Sequence, residues 1–351
     1  MAMASLSSGR QEVQGRRRAR RRGARFVAAV AGVALVATAC GGGASSAGKT
    51  SSASKPSSGG SLVSVTMGIA PGAASLGEYV AQEKGIFAKN GLNATFTPEL
   101  NITIVPAALI TGALQFGITV QPILLQAAAK GLPLVATAGG QVISAKSLND
   151  AVIVPKGSGI TGPAGLVGPR IGVPTATGNF TDCLLYWMHS HGVNYKAANL
   201  AVVPFPDMQA QLAAGTIQAA LPVAPYWNAM VKAGNISLGD PCLSVAPVSL
   251  GSFLASDSTW ARAHSNIVKA VQTSLTEANT YIQAHPVQAR QILAQASGLN
   301  ASATQGLPLQ LYTGTEPVSD LRNWVHVLTV LGLSPGTLNL AQLVFPPQTK
   351  S

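Results

Sequence analysis

The sequence predicts an α/β protein: two doubly wound α/β lobes joined by a hinge, with a helical C-terminal region. Three observations predict it. Short β-prone apolar stretches alternate with amphipathic helical ones until about Pro241, an order that gives mostly parallel sheets. The body of the chain is internally similar at an offset of about 103 residues, a period that suits two related domains and not a solenoid of short repeats. Beyond Pro241 the alternation gives way to long helical periodicities. The organisation expected is residues 62–146 as the first part of lobe 1, 147–242 as lobe 2, and 243–351 as a mostly helical return to lobe 1.

The duplication is clearest where Leu109–Pro122 aligns without gaps to Leu212–Pro225. The shared pattern is Leu-x-x-Gly-x-aliphatic-Gln-x-small-aliphatic-x-Val-x-Pro. Upstream, Thr66–Ala70 resembles Arg170–Pro174, and Gly91-Leu92-Asn93 resembles Gly192-Val193-Asn194. The three matches keep one order and nearly one spacing.

In the first unit, Leu62–Ile69 reads as a strand and Leu76–Asn90 as a helix with Tyr79, Val80, Ile86 and Phe87 among its apolar positions. The step Asn90-Gly91 has the character of its C-cap. A strand over Ala94–Thr97, a helix over Ile104–Thr111 stopping at Gly112, and a strand over Leu114–Val120 follow. The second unit opens with a strand at Arg170–Val173 and a loop at Thr175–Asn179. A helix at Phe180–His191 has Phe180, Cys183, Leu184, Trp187 and Met188 spaced for one buried face. A strand at Leu200–Pro204 and a helix at Met208–Ala214 complete it. The tail predicts helices at Trp260–Ala284, Pro286–Ser297 (Pro in its first turn) and Pro317–Leu331.

The formal charge of +11 is concentrated at the N-terminus. Eight of the 23 basic residues and one of the 12 acidic ones precede Cys40, which leaves +4 for the rest. The arginines run directly into the short apolar stretch Phe26–Ala37 and then into small residues, the order of a secretory signal. No basic–aromatic interleaving follows in the body, so nucleic-acid binding is not indicated. No apolar run approaches the roughly 18 residues of a spanning helix. Val36-Ala37-Thr38-Ala39-Cys40-Gly41 resembles a bacterial lipobox, with Ala37 where Leu is usual. Residues 1–39 are therefore expected to be a lipoprotein signal, Cys40 the lipidated residue, and residues 40–61 a flexible Gly/Ser/Ala tether. Gly43–Thr50 matches GxxxxGK[ST], but it lacks the preceding strand and following helix that converge N–H groups on phosphate, and it reads as coincidence.

Of the three cysteines, Cys183 and Cys242 remain. An oxidising compartment permits a disulfide between them; two buried free thiols fit the sequence equally well. His189-Ser190-His191 are two apart on a helix and point away from each other, so no metal site is expected. No cofactor and no catalytic residue is expected either.

Four segments carry a family resemblance. Ala81–Leu92 resembles the "AxxKGfFxkxGL" segment of the nitrate/sulfonate/taurine and pyrimidine-precursor class of ABC substrate-binding proteins. Lys130–Leu134 resembles its "KGxPl" turn, Pro155–Ile160 its "xkdSGI", and Leu212–Ala220 its "LxaGqvDAa". The likeness covers about residues 63–330. The chain departs from the pattern at Gln115 and Gln218, where Asp is frequent, and at Leu166–Val173, which stands for "LxGKkvgv". The resemblance implies lobes of the periplasmic-binding-protein-like II kind, hinge closure on a ligand, and delivery to an ABC permease powered by a separate ATPase subunit. It further implies an extracytoplasmic protein held by its lipid to the outer face of the membrane. The chain is expected to work as a monomer. The solutes of relatives include sulfonates, nitrate-like anions, pyrimidine precursors and aromatic acids. A ligand sensor without transport is one alternative, and an enzyme on the same fold is another.

Doubly wound sheets bind ligands at the carboxyl ends of their strands. Four segments are expected there. In lobe 1 they supply Gly72, Ala73 and Ala74, then Gln121 and Pro122. In lobe 2 they supply Thr175, Thr177, Gly178, Asn179 and Phe180, then Pro225 and Tyr226. Small residues let a ligand approach the backbone, and free N–H groups at a helix start favour hydrogen-bond-accepting groups. Thr177 or Asn179 suits a helix cap. Gln121 both donates and accepts, and Tyr226 or Trp227 offers a face for stacking. None of these segments carries Lys or Arg, which disfavours a dianionic ligand.

Overall fold

A computed structural model describes residues 61–99 and 101–346 of the chain. The signal, Cys40 and nearly all of the tether lie outside the described residues. The chain runs β1 (Val63–Ile69), α1 (Leu76–Glu83), α2 (Ile86–Lys89), β2 (Leu92–Pro98), α3 (Val105–Ile110), β3 (Phe116–Thr119), α4 (Gln121–Ala129), β4 (Leu134–Ala138) and β5 (Gln141–Ser144). There follow β6 (Ile153–Val154), β7 (Arg170–Val173), α5 (Asn179–Ser190), β8 (Asn199–Val202), α6 (Phe205–Ala213), β9 (Ala219–Ala220), α7 (Tyr226–Lys232) and β10 (Ile236–Ser237). The return comprises β11 (Val248–Leu250), β12 (Phe253–Asp257), α8 (Ser258–Ala263), α9 (Ser265–Ala284), α10 (Pro286–Ala296), α11 (Ala301–Thr304), β13 (Leu311–Tyr312) and α12 (Val318–Val330).

Two five-stranded sheets have one plan. The first has the order β2-β1-β3-β12-β4 and the second β8-β7-β9-β6-β10. In each, the first three strands are mutually parallel and the fourth is antiparallel to the third. Strands β11, β5 and β13 form a third, small sheet. Apolar side chains of α1, α9 and α10 pack one face of the first sheet, and those of α3, α4 and α12 the other. The second sheet is covered by α6 and α7 on one side and by α5 on the other. No helix among the described residues is long and apolar enough to cross a membrane.

The repeat seen in the sequence is a repeat of contacts. Gln115 Oε1 accepts from the Thr66 amide at 2.8 Å, and its Nε2 donates to the Gly112 carbonyl at 3.1 Å. Gln218 Oε1 accepts from the Arg170 amide at 2.8 Å, and its Nε2 donates to the Gly215 carbonyl at 2.7 Å. Each glutamine thus clasps the strand that opens its unit, β1 or β7, to the turn that precedes β3 or β9. Gly68 and Gly172 are likewise equivalent: a Cβ at either would stand 2.6 Å from the tip of Leu114 or Ile217.

Several boundaries differ from the expectation. The helix over Leu76–Asn90 is two helices, because Gly85 takes a left-handed φ of 66° between them. The helix over Trp260–Ala284 also divides, at His264 (φ −122°), whose amide still reaches the Trp260 carbonyl; Asp257 caps the first piece through the Trp260 amide at 2.8 Å. The helix placed at Met208 begins earlier, at Phe205, with Pro206 in its first turn. Cys183 and Cys242, left open by the sequence, form a disulfide with Cα atoms 4.8 Å apart, tying α5 to the turn Pro241–Ser244.

Candidate functional site

The segments after β1, β3 and β7 converge on one turn, Leu250-Gly251-Ser252, which links β11 to β12. Gln121, the first residue of α4, is buried and donates from Nε2 to the Leu250 carbonyl at 3.0 Å. Asn179, the first residue of α5, donates from Nδ2 to the Gly251 carbonyl at 3.3 Å. Ser252 Oγ donates to the Ala74 carbonyl at 3.3 Å. Tyr312 holds the same loop from behind, its hydroxyl donating to the Ala73 carbonyl at 2.6 Å. Gly251 itself donates to the Gln141 carbonyl, and a Cβ there would press on Ile143 and Gln141 at about 3.1 Å.

Asn179 therefore does not cap its helix, and neither does Thr177. The N-cap is Gly178 at φ 119°, without a side-chain bond. Thr175 Oγ1 donates to the Thr177 carbonyl and Thr181 Oγ1 to the Thr175 carbonyl, both at 2.6 Å, which holds the loop by itself. The caps fail because the Asn179 amide is drawn to Gly251 and the Thr177 side chain is exposed.

The second lobe adds an aromatic ladder. Phe180 meets Phe205 edge-on at 5.9 Å, and Phe205 stacks on Tyr226 at 6.2 Å. Tyr226 follows the buried Pro225 and points its hydroxyl at the Ser297 carbonyl, 3.5 Å away at the end of α10. Ser297 Oγ also lies 3.6 Å from where a Cβ of Gly72 would stand. Gly72, with φ 91°, and Tyr226 are thus brought together by a residue that the sequence did not single out. Pro122, Thr177 and Gly178, next to Gln121 and Asn179, line a cavity of about 540 Å³ that runs along α3 and α4 to Lys130.

Several buried oxygens around this convergence have no hydrogen-bond partner among the described residues: Ser75 Oγ, Thr119 Oγ1, Gln121 Oε1, Ser297 Oγ and both oxygens of Glu316. Buried polar groups are normally paired, so these are the atoms that an ordered water or a bound molecule would pair with. The electrostatics are one-sided. The buried ionisable side chains of the acidic and basic types are Glu78, Asp150, Asp182, Asp240, Glu316 and Asp320, and no Lys, Arg or His is buried among the described residues. Burial pushes Glu316 well up, the Asp320 charge adds to this, and Gln121 draws it partly back. Burial likewise raises Asp320, opposed by the Leu250 amide that donates to it at 2.7 Å. Asp182, on the first turn of α5, is pushed up to about 7 by burial against the pull of the Gly178 amide. The site is rich in oxygen acceptors, and burial raises the carboxyls beside it.

Gln121, Asn179, Tyr226 and the 72–74 loop were legible from their place after strands. Phe205, Ser297, Gly251 and Glu316 were not: Phe205 stands just before the aligned segment of the second unit, and the other three lie beyond both units in sequence. The Phe205-Pro206 step, a helix start directly after a strand, was the one available signal.

Residues 73–289 match the NMT1/THI5-like family pattern. The chain is 30% identical over 218 residues to a Haemophilus influenzae protein named "Putative thiamine biosynthesis protein", a match spanning 60% of this chain and 66% of the relative. The fold is similar to that of the periplasmic aliphatic sulphonate-binding protein SsuA of Escherichia coli, with a TM-score of 0.68 at 18% identity, covering 81% of this chain and 98% of that one. It is also similar to the periplasmic nitrate-binding protein NrtA of Synechocystis PCC 6803, with a TM-score of 0.65 at 13% identity, covering 80% and 84%. The two-sheet α/β architecture expected from the resemblance is the one observed, and the chain belongs to the NMT1/THI5-like family.

Proposed function

We propose that this protein is the extracytoplasmic solute-binding component of an ABC importer, and that its solute is an uncharged or protonated nitrogen heterocycle of the pyrimidine-precursor class. The single observation that carries the reading is the set of unpaired buried oxygens around Leu250–Ser252, bordered by carboxyls that burial raises and, among the described residues, by no buried Lys, Arg or His. An aminopyrimidine presents N–H donors to such oxygens, ring nitrogens to such carboxyls, and a flat face to Tyr226 and Phe180. A sulfonate or nitrate would find no buried Lys, Arg or His among the described residues to balance its charge. The named activity of the Haemophilus influenzae relative fits this choice.

In this reading residues 62–146 and 243–351 make one lobe and 147–242 the other, with the solute between them. Gly72, Ala73, Ala74, Gln121 and Pro122 contact it from one side. Thr175, Thr177, Gly178, Asn179, Phe180, Pro225 and Tyr226 contact it from the other. A permease with its ATPase takes the solute on, the lipid on Cys40 keeps the monomer at the outer face of the cell membrane, and no chemical step occurs.

The test is the melting temperature of the full-length chain with aminopyrimidines, alkanesulfonates and nitrate. A ligand at a hundredfold excess over Kd stabilises by about 2.7 kcal/mol, or about 5 °C at this size. A rise with an aminopyrimidine that is recovered unchanged supports the proposal. An equal rise with sulfonate or nitrate, or turnover of the bound compound, would sink it.

A further inference from the structure

The chain passes from the small sheet to the second sheet between β5 and β6, and returns to the small sheet between β10 and β11. Asp150 lies in the first crossing, three residues before β6; Asp240 lies in the return, three residues after β10. Both are buried. A carboxyl oxygen of each, together with Cys242 Sγ, falls within a 4.8 Å circle. That sulfur is committed to the disulfide, so the group offers a cation two carboxyls and no thiolate.

The two carboxyls are differently served. Asp240 Oδ1 accepts from the Cys242 amide at 2.8 Å, and Oδ2 accepts from the Asn149 amide at 3.1 Å and more loosely from the Asp150 amide at 3.5 Å. Neither oxygen of Asp150 accepts from any N–H or O–H among the described residues. Two buried carboxylates at this separation, with no cation beside them, do not both ionise. The amides hold the charge on Asp240, so the proton belongs to Asp150. Burial raises both groups, Asp240 to about 6 against the pull of its amides, and Asp150 further because it also feels the charge of Asp240.

Among the described residues no Lys, Arg or His is buried beside the pair, and Lys146 of the first crossing is exposed. α5, joined to the return crossing by the disulfide, carries Asp182, which turns to the Gly178 amide. Its Tyr186 and His189 face His326 and Tyr195, and its His191 bonds the Trp187 carbonyl. β5 presents Gln141, whose Nε2 donates to Asn149 Oδ1 at 2.8 Å, and Gln310 donates to the Leu148 carbonyl at 3.0 Å. Glu316 and Asp320 face Gln121 and the Leu250 amide.

We propose that the proton shared by Asp150 and Asp240 is a latch on the hinge: while it is held, the two crossings are clasped, and its loss frees them. Release breaks the Asp150 O–H bond and passes the proton to solvent, leaving two negative charges face to face. The return crossing stays tied to α5 through Cys242, so the first crossing, residues 149–151, is the one that gives. The lobes then open more readily in alkaline than in mildly acidic surroundings.

Hydrogen exchange on the full-length chain tests this, read at the Asn149 and Asp150 amides between pH 5.5 and 8.5, corrected for the intrinsic rate and referred to the Cys242 amide of the tied crossing. The wild-type Asn149 and Asp150 amides are expected to lose protection at least tenfold across this range while Cys242 keeps its own. In Asp150→Asn the side-chain N–H donates to Asp240 at every pH, and protection stays flat. Wild-type protection independent of pH overturns the proposal, as does the same loss in Asp150→Asn. A loss of equal size at the amides of β7 and β8 would show general loosening and overturn it too.

Discussion

Replacing Glu78 with Gln isolates one proton and its effect on stability. Glu78 lies on α1, 3% exposed, behind the loop that carries Gly72–Ala74, and its charge helps to raise the neighbouring Tyr312. Burial lifts its pKa from an ordinary 4.5 to about 7. A carboxyl raised on folding contributes fully below its unfolded value, and that contribution fades as pH climbs through the folded value. The gap from 4.5 to about 7, at about 1.36 kcal/mol per pH unit, amounts to about 3 kcal/mol. Gln has nearly the same shape and does not ionise. Urea unfolding at pH 4.5, 6, 7 and 8 should show the Glu78→Gln variant gaining on the wild type by about 3 kcal/mol between the first and last of these, with most of the gain by pH 7. A difference between the two chains that is the same at every pH would refute the reasoning: Glu78 would then titrate as an exposed group, and the burial argument would fail.

The remaining predictions concern other parts of the molecule. Removing the Cys183–Cys242 bridge by substituting both with Ser reopens a loop of 59 residues, which should lower stability by about 4 kcal/mol in denaturant titrations under oxidising conditions. Gln115→Ala and Gln218→Ala each delete one clasp of two hydrogen bonds, so each should cost about 1–3 kcal/mol. The two costs should agree within about 0.5 kcal/mol and add in the double variant, as expected of separate sites. Tyr226→Ala and Gly178→Asp should weaken binding of the aminopyrimidine identified in the melting screen by about tenfold or more, as read by calorimetry on proteins that melt normally; a tenfold loss corresponds to about 1.4 kcal/mol.

Local physics made the first half of each unit readable. Gly68 and Gly172 sit where a first strand passes an apolar tip. The spacing Gly112-x-x-Gln115 and Gly215-x-x-Gln218 encodes a turn and a side chain that returns to it, which is why Leu109–Pro122 and Leu212–Pro225 align. Arg170–Val173 is a strand at both its predicted ends because its neighbours are a turn and a proline. Long-range chemistry was not readable in the same way. That Asn179 serves Gly251 and not its own helix depends on a turn 72 residues away. The buried carboxyls of Glu316 and Asp320 sit among ordinary helix-start residues in sequence, and only the packing of α12 removes them from water. The splitting of α8 from α9 turns on His264, whose ring and amide both reach the Trp260 carbonyl, a local competition that apolar periodicity does not register.

The position of β12 has a consequence for the order of assembly. It is the fourth strand of the first sheet and separates β3 from β4, yet it is encoded after the whole of the second sheet. A chain emerging from its N-terminus completes all five strands of the second sheet by Ser237, while β3 and β4 still present open edges to one another. Those edges are what a growing chain must keep from pairing with strangers until Phe253–Asp257 arrives. Truncations that stop short of Phe253 should therefore aggregate through the lobe made first, while the lobe made second folds.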